Sequence, residues 1–167
     1  MDKTEDWDVY DENRNPLGRT HVRGMEMAPG EYHLVVQVWI CNSRGEYLIQ
    51  KRTAEKDIAP GLWAATAGSA LAGEDSRAAC VRETEEEIGL VPDMAHASVV
   101  KSFLMYDSLV DVWWIRQDVD LPDLALQKEE VDEVRWVTPD EIRVLVREGV
   151  FWPYTYLDCL ETWAKEA

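Results

Sequence analysis

The chain has 167 residues, of which 46% are hydrophobic, and this is enough apolar material to bury a core in one domain over residues 1–167. Its 33 acidic and 17 basic residues give a formal net charge of −16, a field that repels nucleic-acid backbones and anionic lipid surfaces. We therefore expect no nucleic-acid polymer and no membrane as a partner, and a phosphorylated ligand would need bound cations or a local basic cluster.

The first third of the sequence predicts antiparallel strand pairs. The stretches "WDVY" and "RTHVRGM" flank a polar turn and predict an N-terminal β-hairpin. The apolar run 34–41 and residues 46–52 flank a turn at 42–45 and predict a second hairpin. Residues 53–67 carry a proline and a glycine in succession and predict a loop.

The rest of the chain mixes helix and strand signals. A helix should begin near Asp75, which suits an N-cap, and end at Gly89. The further predicted elements are at least two strands within 96–119, a strand at 131–138, a helix between Thr138 and Gly149, and a closing helix over 153–167. This mixture predicts an α/β or α+β fold with a mixed sheet.

The first predicted helix contains "RETEEE", an unusual concentration of like charge. At about 100° per residue, Glu83, Glu86 and Glu87 share one arc of the helix, whereas Glu85 points away. The arrangement is repulsive, because the nearby cation, Arg82, precedes Glu86 in the less favourable orientation. A solvated acidic face is one interpretation. A site for a hard divalent cation, which takes oxygen ligands, is the other, and the lack of a neutralising lysine favours it.

The spacing of charged residues and glycines around this helix carries a resemblance. Seven positions define it, namely Gly68, Glu74, Arg82, Glu83, Glu86, Glu87 and Gly89, followed by the apolar Leu90. Such a pattern would recur by chance on the order of 10⁻⁸ per start site. The segment resembles the Nudix box. Thr84 departs from the aliphatic residue that the family prefers, which affects packing more than chemistry.

The resemblance implies a single Nudix domain over 1–167, with an α/β Nudix fold in which a mixed β-sheet is sandwiched between helices. It also implies a pyrophosphohydrolase that cleaves a small diphosphate by attack of water on phosphorus. The implied cofactor is Mg²⁺ or Mn²⁺, which neutralises phosphate charge and activates water. The implied metal-binding residues are Gly68, Glu83, Glu86 and Glu87.

Two pairs of charged residues, Arg82 with Glu74 and Glu129 with Glu130, are candidates for roles beside the metal. The resemblance implies that Arg82 and Glu74 orient the carboxylates, although the two could also form a simple surface ion pair. Glu129 and Glu130 precede a predicted strand, where the family often supplies an extra metal ligand or a base. Solvated loop carboxylates are the alternative, and Glu130 is the preferred candidate of the two.

A basic patch leads into the box. Lys51, Arg52 and Lys56 could bind the outer phosphates that the overall charge would repel, or they could simply form a charged strand end. Trp63 could stack on a ring of the substrate, although an aromatic residue at such a position also serves as a core or loop anchor.

Outside the box, the chain is similar to the Nudix subgroup related to isopentenyl diphosphate isomerase. In that isomerase a cysteine before the box glycine transfers a proton and histidines bind metal. Here those positions hold Ala67 and Ser69, and Glu26 replaces one of the earlier histidines. His33 occupies the other, and we predict a surface or strand-end residue there in preference to a ligand. Hydrolysis is therefore favoured over isomerisation, and a binding module without turnover is the third alternative.

The remaining features concern compartment and assembly. Cys41, Cys80 and Cys159 are widely spaced, lack a CxxC pattern and are interpreted as reduced thiols. The acidic N-terminus lacks the apolar segment of a signal peptide, and the apolar run 34–41 is too short to span a bilayer. We predict a cytoplasmic protein. The sequence leaves open a homodimer and the identity of the diphosphate, which loops outside the box determine.

Overall fold

The computed structural model describes residues 4–166 and begins with the predicted hairpin. Strands β1 (Asp6–Tyr10) and β2 (Pro16–Val22) pair antiparallel as a separate two-stranded sheet. The turn between them is stabilised by Asp11, whose carboxylate accepts hydrogen bonds from the backbone of Asn13 and Asn15. The second strand starts at Pro16, three residues earlier than "RTHVRGM" indicates.

The N-terminal hairpin is attached to the loop that precedes the first helix. The backbone N–H of Ala72 donates to the carbonyl of Asp6 at 2.8 Å, and the N–H of Gly73 donates to the Asp8 carboxylate at the same distance. On the other side of β1, the Trp7 ring stacks on His33 with 3.9 Å between ring centroids. The hairpin therefore supports the segment in which the box begins.

A seven-stranded mixed sheet forms the centre of the molecule. Its strands are β3 (His33–Cys41), β4 (Tyr47–Arg52), β5 (Trp63–Ala64), β6 (Thr66–Ser69), β7 (Ala97–Met105), β8 (Ser108–Arg116) and β9 (Val131–Val137). Strand β3 pairs with β8 in parallel along its whole length, and β8 pairs with β7 antiparallel. The parallel strands β3 and β8 are almost entirely buried, as is usual for strands covered on both faces.

The predicted hairpin of residues 34–41 and 46–52 is wrong in its pairing. The turn exists, because the Asn42 side chain accepts hydrogen bonds from the backbone of Arg44 and Glu46. However, β3 and β4 are in register only at Cys41 and Tyr47. Strand β4 pairs instead with β9 along its length, since turn chemistry fixes the connection but not the partner of each strand.

The predicted loop over residues 53–67 is also wrong in part. Strands β5 and β6 begin within it, at Trp63 and Thr66. Strand β6 pairs antiparallel with β3, so that Gly68 lies opposite Val36. These short strands escape sequence patterning because two to four residues are too few to show a period.

The predicted helix ends are confirmed for the first two helices. Helix α1 (Ser76–Ile88) is capped by the Asp75 side chain, which accepts from the N–H of Ala78, and ends at Gly89 with φ of 68°. Helix α2 (Pro139–Arg147) begins with a capping box between Thr138 and Glu141. Helix α3 (Leu160–Glu166) starts seven residues later than predicted, and the predicted final residue, 167, lies outside the described residues.

Helices cover both faces of the sheet, so the predicted Nudix-type layering of an α/β fold is confirmed. One core cluster lies on the side of α2 and α3 and includes Trp39, Tyr47, Trp114, Ile142 and Leu160. The other lies on the side of α1 and includes Val36, Ile40, Cys80, Ile88 and Ile115. Within residues 4–166, no helix is long and apolar enough to cross a membrane.

Candidate active site

The Glu83 side chain of helix α1 lies directly over Gly68 of β6. A Cβ atom built on Gly68 would lie 2.1 Å from Cδ of Glu83, so a larger residue at position 68 would displace the Glu83 carboxyl group. The Glu83 carboxyl group therefore packs directly on the backbone of β6. The structure brings together two residues that the sequence predicted as metal-binding, and it gives Gly68 a packing role as well.

Glu87 is buried, which argues against the alternative interpretation of a solvated acidic face. Only 6% of the residue is exposed, and its Oε2 accepts a hydrogen bond of 2.5 Å from Nε2 of Gln50. The Gln50 Oε1 in turn accepts from Oγ1 of Thr66 at 2.7 Å, which fixes the orientation of the amide. Burial raises the pKa of Glu87, because the hydrogen bond from a neutral amide only partly compensates for lost solvation.

The other two glutamates differ in exposure. The Glu83 side chain is 14% exposed, and burial together with the charge of Glu87 raises its pKa to about 7. The Glu86 side chain is 55% exposed and reaches solvent. The three carboxylates therefore lie at buried, nearly buried and exposed positions along one side of the helix.

Arg82 connects this set to the rest of the box. Its Nη1 donates to Glu83 at 2.9 Å and to Glu86 at 3.1 Å, so Arg82 contacts two of the three glutamates despite the less favourable orientation noted from the sequence. Its Nε and Nη2 donate to the two oxygens of Glu74 at 2.7 and 3.0 Å. A further bond runs from Nη2 to the carbonyl of Ser69 at 2.9 Å. This fork holds Arg82 in place and matches the predicted orienting role of Arg82 and Glu74.

The predicted convergence of the three glutamates is not preformed. Across residues 4–166, no three His, Cys, Asp or Glu side chains already meet at one point as metal ligands. The cause lies in the contacts just described, since Arg82 attracts Glu83 and Glu86 whereas Gln50 holds Glu87. The donor set nevertheless fits a hard divalent cation, because carboxylate oxygens are its preferred ligands and two of them are buried without full charge compensation.

The three residues of the predicted basic patch differ in their contacts. Lys56 forms an ion pair with Glu130, so two residues with separate predicted roles neutralise each other. The Glu130 loop is attached to the end of β4, because the backbone N–H of Thr53 donates to the Glu130 carbonyl at 3.2 Å. Arg52 Nε donates to the carbonyl of Ile58 at 2.9 Å. Lys51 is half-buried on β4.

The predicted stacking role of Trp63 is wrong, whereas the prediction of a surface or strand-end residue at His33 is met by its second alternative. Trp63 is 4% exposed and packs in the core, with the Arg135 guanidinium 4.1 Å from its ring centroid. Both sides of the ring are therefore occupied. His33 does lie at the start of a strand, as predicted, but it is 5% exposed and stacked against Trp7.

Gln50 and Thr66 are the site residues that the sequence analysis missed. A weak signal exists for Gln50, because it directly follows the apolar run 47–49 in "YLIQKR", and a buried polar side chain in a strand needs a partner. Thr66 gives no such signal, since β6 itself was not predicted.

Comparison with known sequences identifies the family. Residues 31–158 match the NUDIX domain model, and the chain therefore belongs to the Nudix family. It is 45% identical to an uncharacterised Nudix hydrolase of Listeria monocytogenes, over 93% of each chain. Membership of this family indicates an enzyme that hydrolyses a diphosphate bond.

Two further comparisons concern fold and reaction class. A crystal structure of a Deinococcus radiodurans protein has a TM-score of 0.77 and 20% identity, covering 95% of this chain and 98% of the other, so the two share a fold. The isopentenyl-diphosphate Delta-isomerase of Streptomyces griseus is 30% identical, over 95% of this chain and 85% of its own length. The predicted similarity to the isomerase subgroup is thereby confirmed at the level of sequence.

Proposed function

We propose that this protein is a divalent-metal-dependent pyrophosphohydrolase that cleaves a small diphosphate by attack of water on phosphorus. The observation that carries the proposal is the buried pair Glu83 and Glu87, whose raised pKa values show that the fold holds two carboxylates without full compensation. Such an arrangement costs stability and is typical of functional sites.

The residues that would hold Mg²⁺ or Mn²⁺ are Glu83, Glu86 and Glu87, with the backbone carbonyl of Gly68. The cation, when bound, neutralises the diphosphate and lowers the pKa of the attacking water. Arg82 keeps Glu83 and Glu86 within one hydrogen-bond network and, through its fork with Glu74, prevents the helix side chains from swinging apart.

The loops beside the box supply the remaining groups. Lys51, Arg52 and Lys56 provide positive charge for the outer phosphates in a chain that is otherwise strongly acidic. Glu130 is the candidate for a base that orients water, and its ion pair with Lys56, a candidate phosphate-binding cation, supports a shared location for the two roles.

A panel of diphosphates incubated with Mg²⁺ or Mn²⁺ tests the proposal, with release of phosphorylated products as the measurement. Nucleoside diphosphate derivatives, dinucleotides and prenyl diphosphates belong in the panel. We expect hydrolysis of at least one of them that stops when the metal is chelated. Binding without turnover across the panel would instead identify a binding module that has lost activity.

Isomerisation of isopentenyl diphosphate is the second candidate, because a relative at 30% identity carries that name. Isomerisation needs two acid/base groups across an apolar pocket, and Ala67 cannot transfer a proton. The thiols of Cys41 and Cys80 do not replace it, since both are buried and burial raises the pKa of Cys80 to about 12. NMR detection of dimethylallyl diphosphate forming at enzymatic rates would overturn the hydrolase assignment.

Two predictions about cellular context belong with this proposal. We propose that the enzyme acts in the cytoplasm on a small-molecule substrate, in line with its acidic composition and reduced thiols. A homodimer stays a prediction that sedimentation of the purified protein would test.

A further inference from the structure

The sheet face opposite α1 is only partly covered next to the box. Several apolar side chains there pack against the core cluster while remaining half-buried. They are Val35, Val100, Phe103, Met105, Tyr154 and Leu157. Among the described residues, Gln37 is a buried polar side chain within this apolar surface, 5% exposed and central on β3.

A chain of hydrogen bonds fixes the orientation of the Gln37 amide. The indole of Trp39 can only donate, and its Nε1 donates to the Tyr156 hydroxyl at 3.0 Å. The proton of that hydroxyl is then directed to Oε1 of Gln37, with which Tyr156 forms a short hydrogen bond. The Oε1 position is therefore occupied, and the amide cannot flip without leaving the hydroxyl proton facing an NH₂ group.

The other end of the amide is unused. Within residues 4–166, Nε2 of Gln37 makes no hydrogen bond, and it is not among the side-chain nitrogens that are fully enclosed. A donor with two hydrogens is thus held at the boundary between the core and the partly open face. An unmatched donor at such a position costs free energy unless a ligand or water accepts from it.

The sheet register places this donor next to strand β6, which carries Gly68. Gln37 lies directly opposite Ala67 on β6, and Val35 lies opposite Ser69. Residues paired in this way project on the same face, with neighbouring strands about 4.8 Å apart. Ala67 immediately precedes Gly68, on which Glu83 packs, and its N–H approaches Glu87. Because Ala67 and Gly68 are consecutive on β6, they face opposite sides of the sheet, and a molecule whose diphosphate lies at the glutamates would reach Gln37 by extending its organic group past β6.

We propose that Gln37 is a specificity-determining residue that donates a hydrogen bond to the organic group of the diphosphate substrate. This inference rests on the proposed function and narrows it. The substrate class is a diphosphate whose organic group is uncharged and mainly apolar, so that it packs on Phe103 and Tyr154, and which carries a carbonyl oxygen or ring nitrogen as acceptor. A purely hydrocarbon group leaves the amide unpaired and is disfavoured.

The test compares benzyl diphosphate with isosteres that differ from it by one hydrogen-bond acceptor. Benzyl diphosphate has no acceptor on its ring, whereas its three pyridylmethyl isosteres place one ring nitrogen at successive positions. The ratio of kcat/KM with Mg²⁺ at pH 8, best pyridylmethyl isomer over benzyl, should be about tenfold or more in the parent protein. Isothermal titration calorimetry gives the same ratio from dissociation constants, so recognition is measured even where turnover is absent.

Gln37→Glu is the informative variant, because it keeps an oxygen for Tyr156 and removes the donor. We expect the ratio to fall to about one, with the loss in KM and in the dissociation constant, whereas a merely structural role would lower kcat/KM for both molecules alike. Gln37→Met provides a second, uncharged variant. Gln117→Glu, which adds the same charge beyond the far end of β8, is the matched control and should keep the parent ratio.

The outcomes separate the two proposals. A parent ratio near one in both measurements for every isomer, or an unchanged ratio in both Gln37 variants, overturns the role of Gln37. Selective binding that depends on Gln37 without any turnover across the panel supports that role and overturns the hydrolase assignment.

Discussion

Two carboxylates are buried to nearly the same extent, one on the central sheet and one on the box helix. Asp111 on β8 is 4% exposed and Glu87 is 6% exposed. Asp111 accepts hydrogen bonds from Nη2 of Arg14 at 2.7 Å and from Oγ of Ser102 at 2.6 Å. Glu87 accepts instead from the neutral amide of Gln50. One buried carboxylate is therefore hydrogen-bonded to an oppositely charged partner, whereas the other is hydrogen-bonded to a neutral amide, and Lys56 and Arg52 act on it only through space.

The difference separates a structural charge from a functional one. Arg14 lies in the N-terminal turn, so its contact with Asp111 attaches that turn to the sheet, and the pair is complete without any ligand. Glu87 lies beside Glu83 on a helix whose acidic side has one shared cation, Arg82, and its raised pKa shows a carboxylate that would be stabilised by further positive charge. Exposure is similar at the two positions, but only the second carboxylate lacks a charged hydrogen-bond partner and is left able to accept a cation.

The largest expected effect on activity comes from replacing a glutamate of the candidate metal site. Glu87→Gln, and likewise Glu86→Gln, should lower metal-dependent hydrolysis at least about 100-fold, because a lost ligand costs several kcal/mol of transition-state stabilisation. The melting temperature of the metal-free Glu87→Gln protein should be unchanged or higher, since an uncompensated buried charge is gone.

Steady-state kinetics with Mg²⁺ and thermal melts check both parts. Glu85→Gln is the matched control, because Glu85 is exposed on the opposite side of the same helix and should retain parent activity. Turnover of Glu87→Gln within about tenfold of the parent would remove the basis of the metal assignment.

The second effect is stabilisation by the metal itself. At a Mg²⁺ concentration about 100 times the dissociation constant, binding to the folded state should add about 2.7 kcal/mol, which raises the melting temperature by several degrees. Differential scanning calorimetry with and without millimolar Mg²⁺ measures this shift. Glu83→Gln should reduce it, whereas Asp111→Asn should leave it intact, and an unchanged melt of the parent protein would contradict the site.

Asp111, the buried carboxylate with a charged partner, should affect stability and not activity. Asp111→Asn should lower the free energy of unfolding by about 2 kcal/mol, because a charge-assisted hydrogen bond to a buried acceptor is lost, although the Arg14 side chain itself is 39% exposed. The activity of each folded molecule should be retained. Urea denaturation measures the loss, and a double-mutant cycle with Arg14→Gln isolates the pair. Coupling below about 0.5 kcal/mol would mean that the two residues contribute independently.

A third buried ionisable group, His33, gives the smallest effect. Burial lowers its pKa to about 4 from an ordinary value of 6.5, against the opposing influence of Asp107, while His21 and Arg23 also disfavour its charge. Between these pH values the unfolded chain binds the proton first, so stability present above pH 6.5 is lost as the pH falls. We expect a loss of about 1 kcal/mol from pH 6.5 to 5.5.

Thermal or urea unfolding of the parent and of His33→Gln over this pH range measures the effect. The variant cannot titrate at this position, and its stability should change less over the same interval, by about 1 kcal/mol. Identical slopes for the two proteins would show that His33 is not held neutral by the fold.

The features that the sequence predicted are those set by local chemistry. Asp75 and Gly89 fix the ends of α1 through hydrogen bonds within a few residues, and helical spacing places Glu85 away from the other glutamates. The box pattern predicts the family for the same reason. Local signals therefore gave the helix, its charge pattern and the type of reaction.

The features that escaped prediction depend on which strands become neighbours. Gln50 reaches Glu87 because β4 and α1 meet in space, although 37 residues separate the two in sequence. The burial of Trp63 and its contact with Arg135 likewise follow from the position of β9 beside β4. Turn and propensity rules carry no information about such pairings, which are decided by the burial of whole strands.

The attachment of the N-terminal hairpin has a consequence for where the functional unit begins. The family match starts at residue 31, yet the loop entering α1 is hydrogen-bonded to Asp6 and Asp8, and His33 is covered by Trp7. Removal of the residues before the family boundary would expose the start of β3. It would also remove the hydrogen bonds that hold the loop leading into α1. The folded unit that positions the glutamates is thus longer than the range matched by the family model, and it includes the N-terminal hairpin.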